Sequence, residues 1–140
     1  MLCVSSSLFA NESQEAPLWM RYAQISPDGK QIAFNYGGDI YRVSSQGGTA
    51  QQLTTYDGYD GHPMWSPDGK HIAFTSDREG SLDVYVMSAE GGKATRITTH
   101  SGKETPAGWL DNETVLITKA GNPTVNDLTF PASTFSHIYK

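Results

Sequence analysis

The pentapeptide Ser26-Pro27-Asp28-Gly29-Lys30 recurs intact as Ser66-Pro67-Asp68-Gly69-Lys70, forty residues further on. A fixed period of that length marks a chain built from stacked, similar units rather than around one aperiodic core. The match runs on beyond the pentapeptide. Gln31-Ile32-Ala33-Phe34 answers His71-Ile72-Ala73-Phe74, and Asp39-Ile40-Tyr41 answers Asp83-Val84-Tyr85. Gly47-Gly48 answers Gly91-Gly92, and Leu53-Thr54-Thr55 answers Ile97-Thr98-Thr99. The offset grows from 40 to 44 between Phe74 and Asp83, which places four extra residues in a longer loop between Asp77 and Leu82. A weaker third copy follows: Pro106 stands 43 residues after Pro63, and Val115-Leu116-Ile117 takes the place of Ile72-Ala73-Phe74. Ile138-Tyr139 is expected to answer Val84-Tyr85, after an insertion around Gly121 to Ser136.

Each copy reads as four short strands. In the second they are expected at Pro63 to Trp65, Lys70 to Ser76, Asp83 to Ser88 and Ala94 to Thr98. Ile, Val, Tyr, Phe and Thr dominate these runs, which suits a pleated, half-buried surface. In Ser-Pro-Asp-Gly, proline presets the second position of a type I turn, the Ser and Asp oxygens can bond the local backbone, and glycine takes the left-handed conformation that closes the hairpin. The Gly-Gly pairs mark the next hairpin. Ile72-Ala73-Phe74 is apolar on both faces, as a strand sandwiched between two neighbouring sheets must be, and the small Ala73 allows close approach on one side. Four antiparallel strands per unit of about 40–45 residues is the signature of a propeller blade. The expected fold is therefore all-β: a partial β-propeller with two complete blades and most of a third. The units fall at about 18–57, 58–101 and 102–140. A closed ring needs at least four blades, about 160 residues, so the 140 residues here read as the N-terminal part of a larger propeller.

Residues 1–15 read as a partial signal-peptide-like segment and linker. Met1 to Ala10 is apolar and rich in small residues, with a cleavage position after Ala10, but it lacks a charged start and is too short to span a membrane. It holds the sole cysteine, Cys3.

Composition excludes several functions. The formal net charge is −5 with only ten Lys and Arg, scattered without a basic stripe, so nucleic acid is not an expected partner. His62, His71, His100 and His137 lack metal-ligand spacing. Asp57-Gly58-Tyr59-Asp60-Gly61 lacks the ligand spacing of a calcium loop and reads as a link between blades. Ser101 beside His100 has no positioned third group, and no G-x-S-x-G elbow occurs. No catalytic, cofactor-binding or metal residue is expected here. The candidate contacts with a peptide or protein partner are Tyr56, Tyr59, Asp77 and Arg78, the tyrosines because amphipathic rings favour interfaces. For Asp77 and Arg78 the competing reading is structural: Asp77 bonding turn amides and Arg78 covering the neighbouring strand. Trp65 and Trp109, in related but not identical register, read as packing between blades.

The stretch from Pro63-Met64-Trp65-Ser66-Pro67-Asp68-Gly69-Lys70 to Asp77-Arg78, with Asp83-Val84-Tyr85 and Gly91-Gly92, resembles the WD40-like PD40 repeat. Such repeats occur in TolB, in tricorn-like serine peptidases and in prolyl-oligopeptidase-type propellers. Two features are more similar to the tricorn-like peptidases. Leu18-Trp19-Met20-Arg21-Tyr22 leads directly from a signal-like segment into the first Ser-Pro-Asp-Gly, and Gly38-Asp39-Ile40-Tyr41-Arg42-Val43 follows. In the third copy Leu110-Asp111-Asn112-Glu113 departs from the pattern. The resemblance implies a secreted or periplasmic serine peptidase whose propeller gates or scaffolds peptide substrate. Its partners would be the remaining blades and a catalytic domain carried elsewhere. The alternative it implies is a TolB-like periplasmic propeller that binds protein partners without catalysis.

Overall fold

The computed structural model describes residues 19–99 and 102–120, together with the strand pairing of 135–139. The signal-like segment, His100, Ser101 and most of the late insertion lie outside the described residues. Eleven strands follow one another: β1 (Arg21–Ile25), β2 (Gln31–Tyr36), β3 (Asp39–Ser44), β4 (Gln51–Gln52), β5 (Asp60–Trp65), β6 (His71–Ser76), β7 (Asp83–Ser88), β8 (Thr95–Arg96), β9 (Lys103–Trp109), β10 (Val115–Ala120) and β11 (Phe135–Tyr139). Among the described residues there is no helix.

The strands form three antiparallel sheets, in the orders β1-β2-β3-β4, β5-β6-β7-β8 and β9-β10-β11. The two Ser-Pro-Asp-Gly turns are built identically. Gly29 N–H donates to the Ser26 carbonyl and Gly69 N–H to the Ser66 carbonyl, each at 2.9 Å. Both glycines have positive φ, 73° and 69°, where a side chain would strain the backbone. Ser26 and Ser66 donate their hydroxyls to Asp28 and Asp68 at 2.7 Å. Each serine oxygen in turn accepts the next strand's first amide, from Gln31 at 2.9 Å and His71 at 3.0 Å. The divergent third turn also closes its hairpin, one residue shorter: Leu110 N–H reaches the Thr114 carbonyl at 2.9 Å, and Trp109 pairs with Val115.

The loop between β6 and β7 spans Asp77 to Leu82, where the first sheet has only Gly37-Gly38, so the four extra residues lie where the offset put them. Three expectations need correction. β5 begins at Asp60, not Pro63, so Asp60-Gly61 is strand rather than link. Tyr139 pairs with Val115 as Met87 pairs with Ile72, so Tyr139 answers Met87, and it is Ser136-His137 that stands at the place of Val84-Tyr85. Trp65 pairs with Ile72 as Trp109 does with Val115, so the two indoles occupy the same register after all. The one-residue contraction of the third turn hid this in the sequence.

Two apolar layers bind the sheets face to face. Ala33, Ile40 and Leu53 of the first sheet meet Trp65, Ile72, Phe74, Tyr85 and Met87 of the second. Ala73 and Val84, on the second sheet's other face, meet Val115 and Ile117 of the third. Ile72, Ala73 and Phe74 are all fully buried, which is why the run carries no polar alternation. Polar clasps repeat at each junction. Trp65 Nε1 donates to the Gln24 carbonyl and Trp109 Nε1 to the Met64 carbonyl, both at 3.1 Å. At the opposite strand ends Asp60 N–H donates to the Gly38 carbonyl at 2.6 Å and Glu104 N–H to the Leu82 carbonyl at 2.7 Å. Through these contacts β1, β5 and β9 lie side by side, and the later strands of each sheet fan outward.

Candidate functional site

The adjoining first strands form a wall, and its chemistry begins with a backbone irregularity. β1 carries a bulge between Arg21 and Gln24, and β5 an equivalent one between Gly61 and Met64. An extra residue turns the local backbone and re-aims side chains. At matching positions in these bulges Tyr22 and His62 have φ of 54° and 53°, a left-handed conformation uncommon outside glycine and concentrated at functional sites. Their rings stack across the junction between the first two sheets, with centroids 3.7 Å apart and planes at 28°.

Charged and phenolic groups surround this stack. Burial, followed by Tyr22, holds the Tyr59 phenol above its ordinary pKa. Burial, followed by the Lys103 ammonium, pushes the His62 imidazole below its ordinary value. Arg21 lies over the ring of exposed Trp19, 5.9 Å from its centroid. Three consecutive first strands and their leading residues thus bring together Arg21, Tyr22, Tyr59, His62 and Lys103. At the other end of the same strands a cavity of about 450 Å³ is lined by Gln24, Ile25, Met64, Trp65, Gly108 and Trp109, among others.

The four contact candidates from the sequence gather near the same end as the stack. Asp77 Oδ1 accepts the Tyr59 N–H at 2.8 Å, and the Asp77 N–H reaches the Tyr59 carbonyl at 3.2 Å. Arg78 Nη2 donates to both carboxylate oxygens of Asp60, at 2.9 and 2.8 Å, and its Nε donates to Ser76 Oγ at 2.8 Å. The guanidinium lies 4.9 Å from the Tyr85 ring centroid, 5.2 Å from that of Tyr56 and 5.5 Å from that of Phe74. Asp77 and Arg78 are therefore engaged within the protein. Tyr56 stays 37% exposed, at the edge of a cavity of about 290 Å³ that also takes in Leu53, Arg78 and Ala94.

Sequence reasoning missed Asp60, the fully buried anchor of Arg78. The repeat gave no sign of it, because Met20 stands at that position in the first unit. It also missed the Tyr22–His62 pair, whose 40-residue separation matches the repeat although the residue types differ. Among the described residues no group of three His, Cys, Asp or Glu is placed to hold a metal ion. Among the described residues no helix is long and apolar enough to cross a membrane.

Four-stranded antiparallel sheets joined through their first strands are blades, and the described residues form part of a β-propeller. The family described as the Tricorn protease N-terminal beta propeller domain matches residues 17–130, and the chain belongs to it. Among curated relatives, the Tol-Pal system protein TolB of Alcanivorax borkumensis is 34% identical over 82 residues, covering 55% of this chain and 18% of TolB. Tricorn protease homolog 1 of Streptomyces coelicolor is 34% identical over 66 residues, covering 47% of this chain and 6% of the homolog. The chain thus spans a small part of either relative. Among solved structures, a putative TolB from Agrobacterium tumefaciens superposes with a TM-score of 0.66 at 26% identity, over 75% of this chain and 40% of that one. The tricorn protease structure superposes with a TM-score of 0.58 at 17% identity, over 81% and 12%, a likeness of fold.

Proposed function

We propose that this chain is the gating propeller segment of a secreted or periplasmic tricorn-like serine peptidase. It admits or orients peptide substrate for a catalytic domain carried elsewhere in the parent protein. The observation that supports this most is membership in the tricorn N-terminal propeller family over residues 17–130. The wall of first strands suits the role, because its stacked and basic side chains stand where an extended peptide would pass. Tyr56, packed against Arg78, and Tyr59, held by Asp77, supply a second contact surface for peptide or protein. The parent would cleave peptides by acyl transfer to a serine. The gating role is tested by expressing the whole parent protein with and without residues 11–140 and following hydrolysis of short peptides and of a folded protein. Loss of these residues should leave short-peptide cleavage largely intact and relax discrimination against the folded substrate. Unchanged discrimination, or an open reading frame without a peptidase domain, would end this reading.

A second reading, a periplasmic binding propeller without catalysis, is favoured by the 34% identity to TolB over 82 residues. It predicts stable capture of an envelope protein by the purified propeller and no proteolysis by the parent.

A further inference from the structure

The geometry points to a two-point recognition site along the first strands for an extended peptide that carries a carboxylate about three residues from an apolar side chain. The inference rests on the peptide-handling role above and names the class of peptide. Arg21 and Lys103 are exposed cations on the first and third of three adjacent first strands, with the Tyr22–His62 stack and the Tyr59 phenol between them. Two of the chain's ten Lys and Arg thus stand exposed beside an aromatic platform, and solvent-exposed cations there attract an anionic ligand. Guanidinium, ammonium and phenol all donate hydrogen bonds, and charge-assisted bonds to a carboxylate are the strong ones.

The stack also accounts for the backbone. Two non-glycine residues at φ near 54° cost conformational energy in both blades. Both lie in the bulges that carry the stacked rings, so the platform is already formed in the folded chain. Burial and Lys103 both disfavour the charged form of His62, which lessens its repulsion of the neighbouring cations.

The second point is the cavity of about 450 Å³ at the other end of these strands, whose walls include Ile25, Met64, Trp65 and Trp109. Both indole N–H groups are already bound to carbonyls, which leaves ring faces and aliphatic groups for contact. Ile25 is 61% exposed. His62 and Trp65 are three residues apart on β5, a span somewhat under the ~10 Å of three residues in a regular strand because the bulge lies within it. An extended peptide lying along the wall covers that span in three residues of its own.

The test uses the 140-residue chain and three acetylated tetrapeptides: Leu-Gly-Gly-Asp amide, Leu-Gly-Gly-Asn amide, and Leu-Gly-Gly-Gly with a free C-terminal carboxylate. Binding is followed by NMR at the indole N–H of Trp65 and Trp109 and the imidazole of His62. The aspartyl peptide should bind about tenfold more tightly than the asparaginyl one, perturbing both ends of the wall. The free-acid peptide reports whether a terminal carboxylate serves as well as a side-chain one. Replacing exposed Arg21 and Lys103 together (Arg21→Gln, Lys103→Gln) should abolish the tenfold preference without changing the near-ultraviolet circular dichroism. Equal affinity for the aspartyl and asparaginyl peptides, a preference that survives the double substitution, or no perturbation of the wall by any peptide would each overturn the proposal. None of these outcomes alters the proteolysis comparison that tests gating.

Discussion

The first and second sheets share one blueprint, but only the second is charged inside. At the start of the third strand both place an aspartate beneath a threonine: Thr54 Oγ1 donates to Asp39 at 3.1 Å, and Thr98 Oγ1 to Asp83 at 3.5 Å. The same hydroxyls accept the strand amides of Ile40 and Val84, at 3.0 and 2.9 Å. The remaining aspartate oxygen meets neutral Gln52 at 2.9 Å in the first sheet and cationic Arg96 at 2.7 Å in the second. The second sheet adds Asp60 and Arg78, where the first has Met20 and no counterpart. Asp60 and Asp83 are both fully buried, while β1 is exposed along its length. Flanking by a sheet on each side strips water from a carboxylate, and the fold can keep it ionised there only with a close cation. The first sheet, more open on the β1 side, manages with amides.

The comparison breaks most severely at Arg78. Replacing it (Arg78→Ala) leaves Asp60 buried without its cation, and stability should fall by about 3–5 kcal/mol, measured by urea denaturation. The corresponding change in the first sheet, Gln52→Ala, removes a partner from a more accessible carboxylate and should cost about 1 kcal/mol or less. If the two changes cost the same, desolvation is not what separates the sheets. Pairing Arg78→Met with Asp60→Asn should recover a large part of the loss.

The Trp clasps sharpen the comparison across junctions. Trp65→Phe keeps most of the ring and removes the hydrogen bond to the Gln24 carbonyl, for a loss of about 1–3 kcal/mol. Trp109→Phe should cost a similar amount, because donor, acceptor and 3.1 Å distance are the same. A large inequality would mean that the junctions are not equivalent in energy although they are in geometry.

Glu104 extends the contrast to the third sheet. It pairs with Lys119 in the strand register as Asp60 pairs with Ser76, and it is 1% exposed. Among the described residues its Oε2 has no hydrogen-bond partner and no arginine pairs with it as Arg78 pairs with Asp60. Glu104→Met should therefore raise stability, by about 1–3 kcal/mol, in the same urea assay. A loss of stability would mean that the carboxylate has a use in the folded state.

What the sequence disclosed and what it withheld divide along one line. Contacts within a blade were legible, because turn chemistry and strand alternation are local and recur: the Ser-Pro-Asp-Gly hairpins, the strands β6 and β7, and the six-residue loop from Asp77 all stand where the spacing put them. Contacts between blades were not. Trp65 reaches Gln24 across 41 residues and Trp109 reaches Met64 across 45; within the second blade, the Asp60–Arg78 pair was hidden as well, because the first blade has no counterpart to compare. The Tyr22–His62 stack lies at equal repeat positions, but two different ring types conceal the equivalence, and a bulge is invisible to strand alternation. Asp77 and Arg78, picked as contact candidates for their loop position, are half-buried and bonded to Tyr59, Asp60 and Ser76.

The smallest effect, and the finest check on equivalence, lies in the two repeated turns. Asp28 and Asp68 are both held below the ordinary carboxylate range, first by the serine hydroxyl and then by the amide of Lys30 or Lys70. A depressed carboxylate pKa stabilises the fold above the unfolded-state value, near 3.9. That contribution disappears as pH falls through the lower folded-state value. The thermal midpoint should therefore drop between pH 5 and pH 2. Either single change, Asp28→Asn or Asp68→Asn, should remove part of that drop, and the double change should remove the sum of both. The two shares should be similar, since each aspartate accepts from its serine at 2.7 Å and from its lysine amide at 3.1 or 3.0 Å. Two asymmetries separate them: His71 also lowers the Asp68 value, where neutral Gln31 stands in the first turn, and the Asp68 amide donates to Asn112 Oδ1 at 3.0 Å, a bond to the third turn that does not titrate. A larger pH-dependent share for Asp68 would mean that its neighbours His71 and the third turn, and not the repeat alone, set the strength of this hairpin.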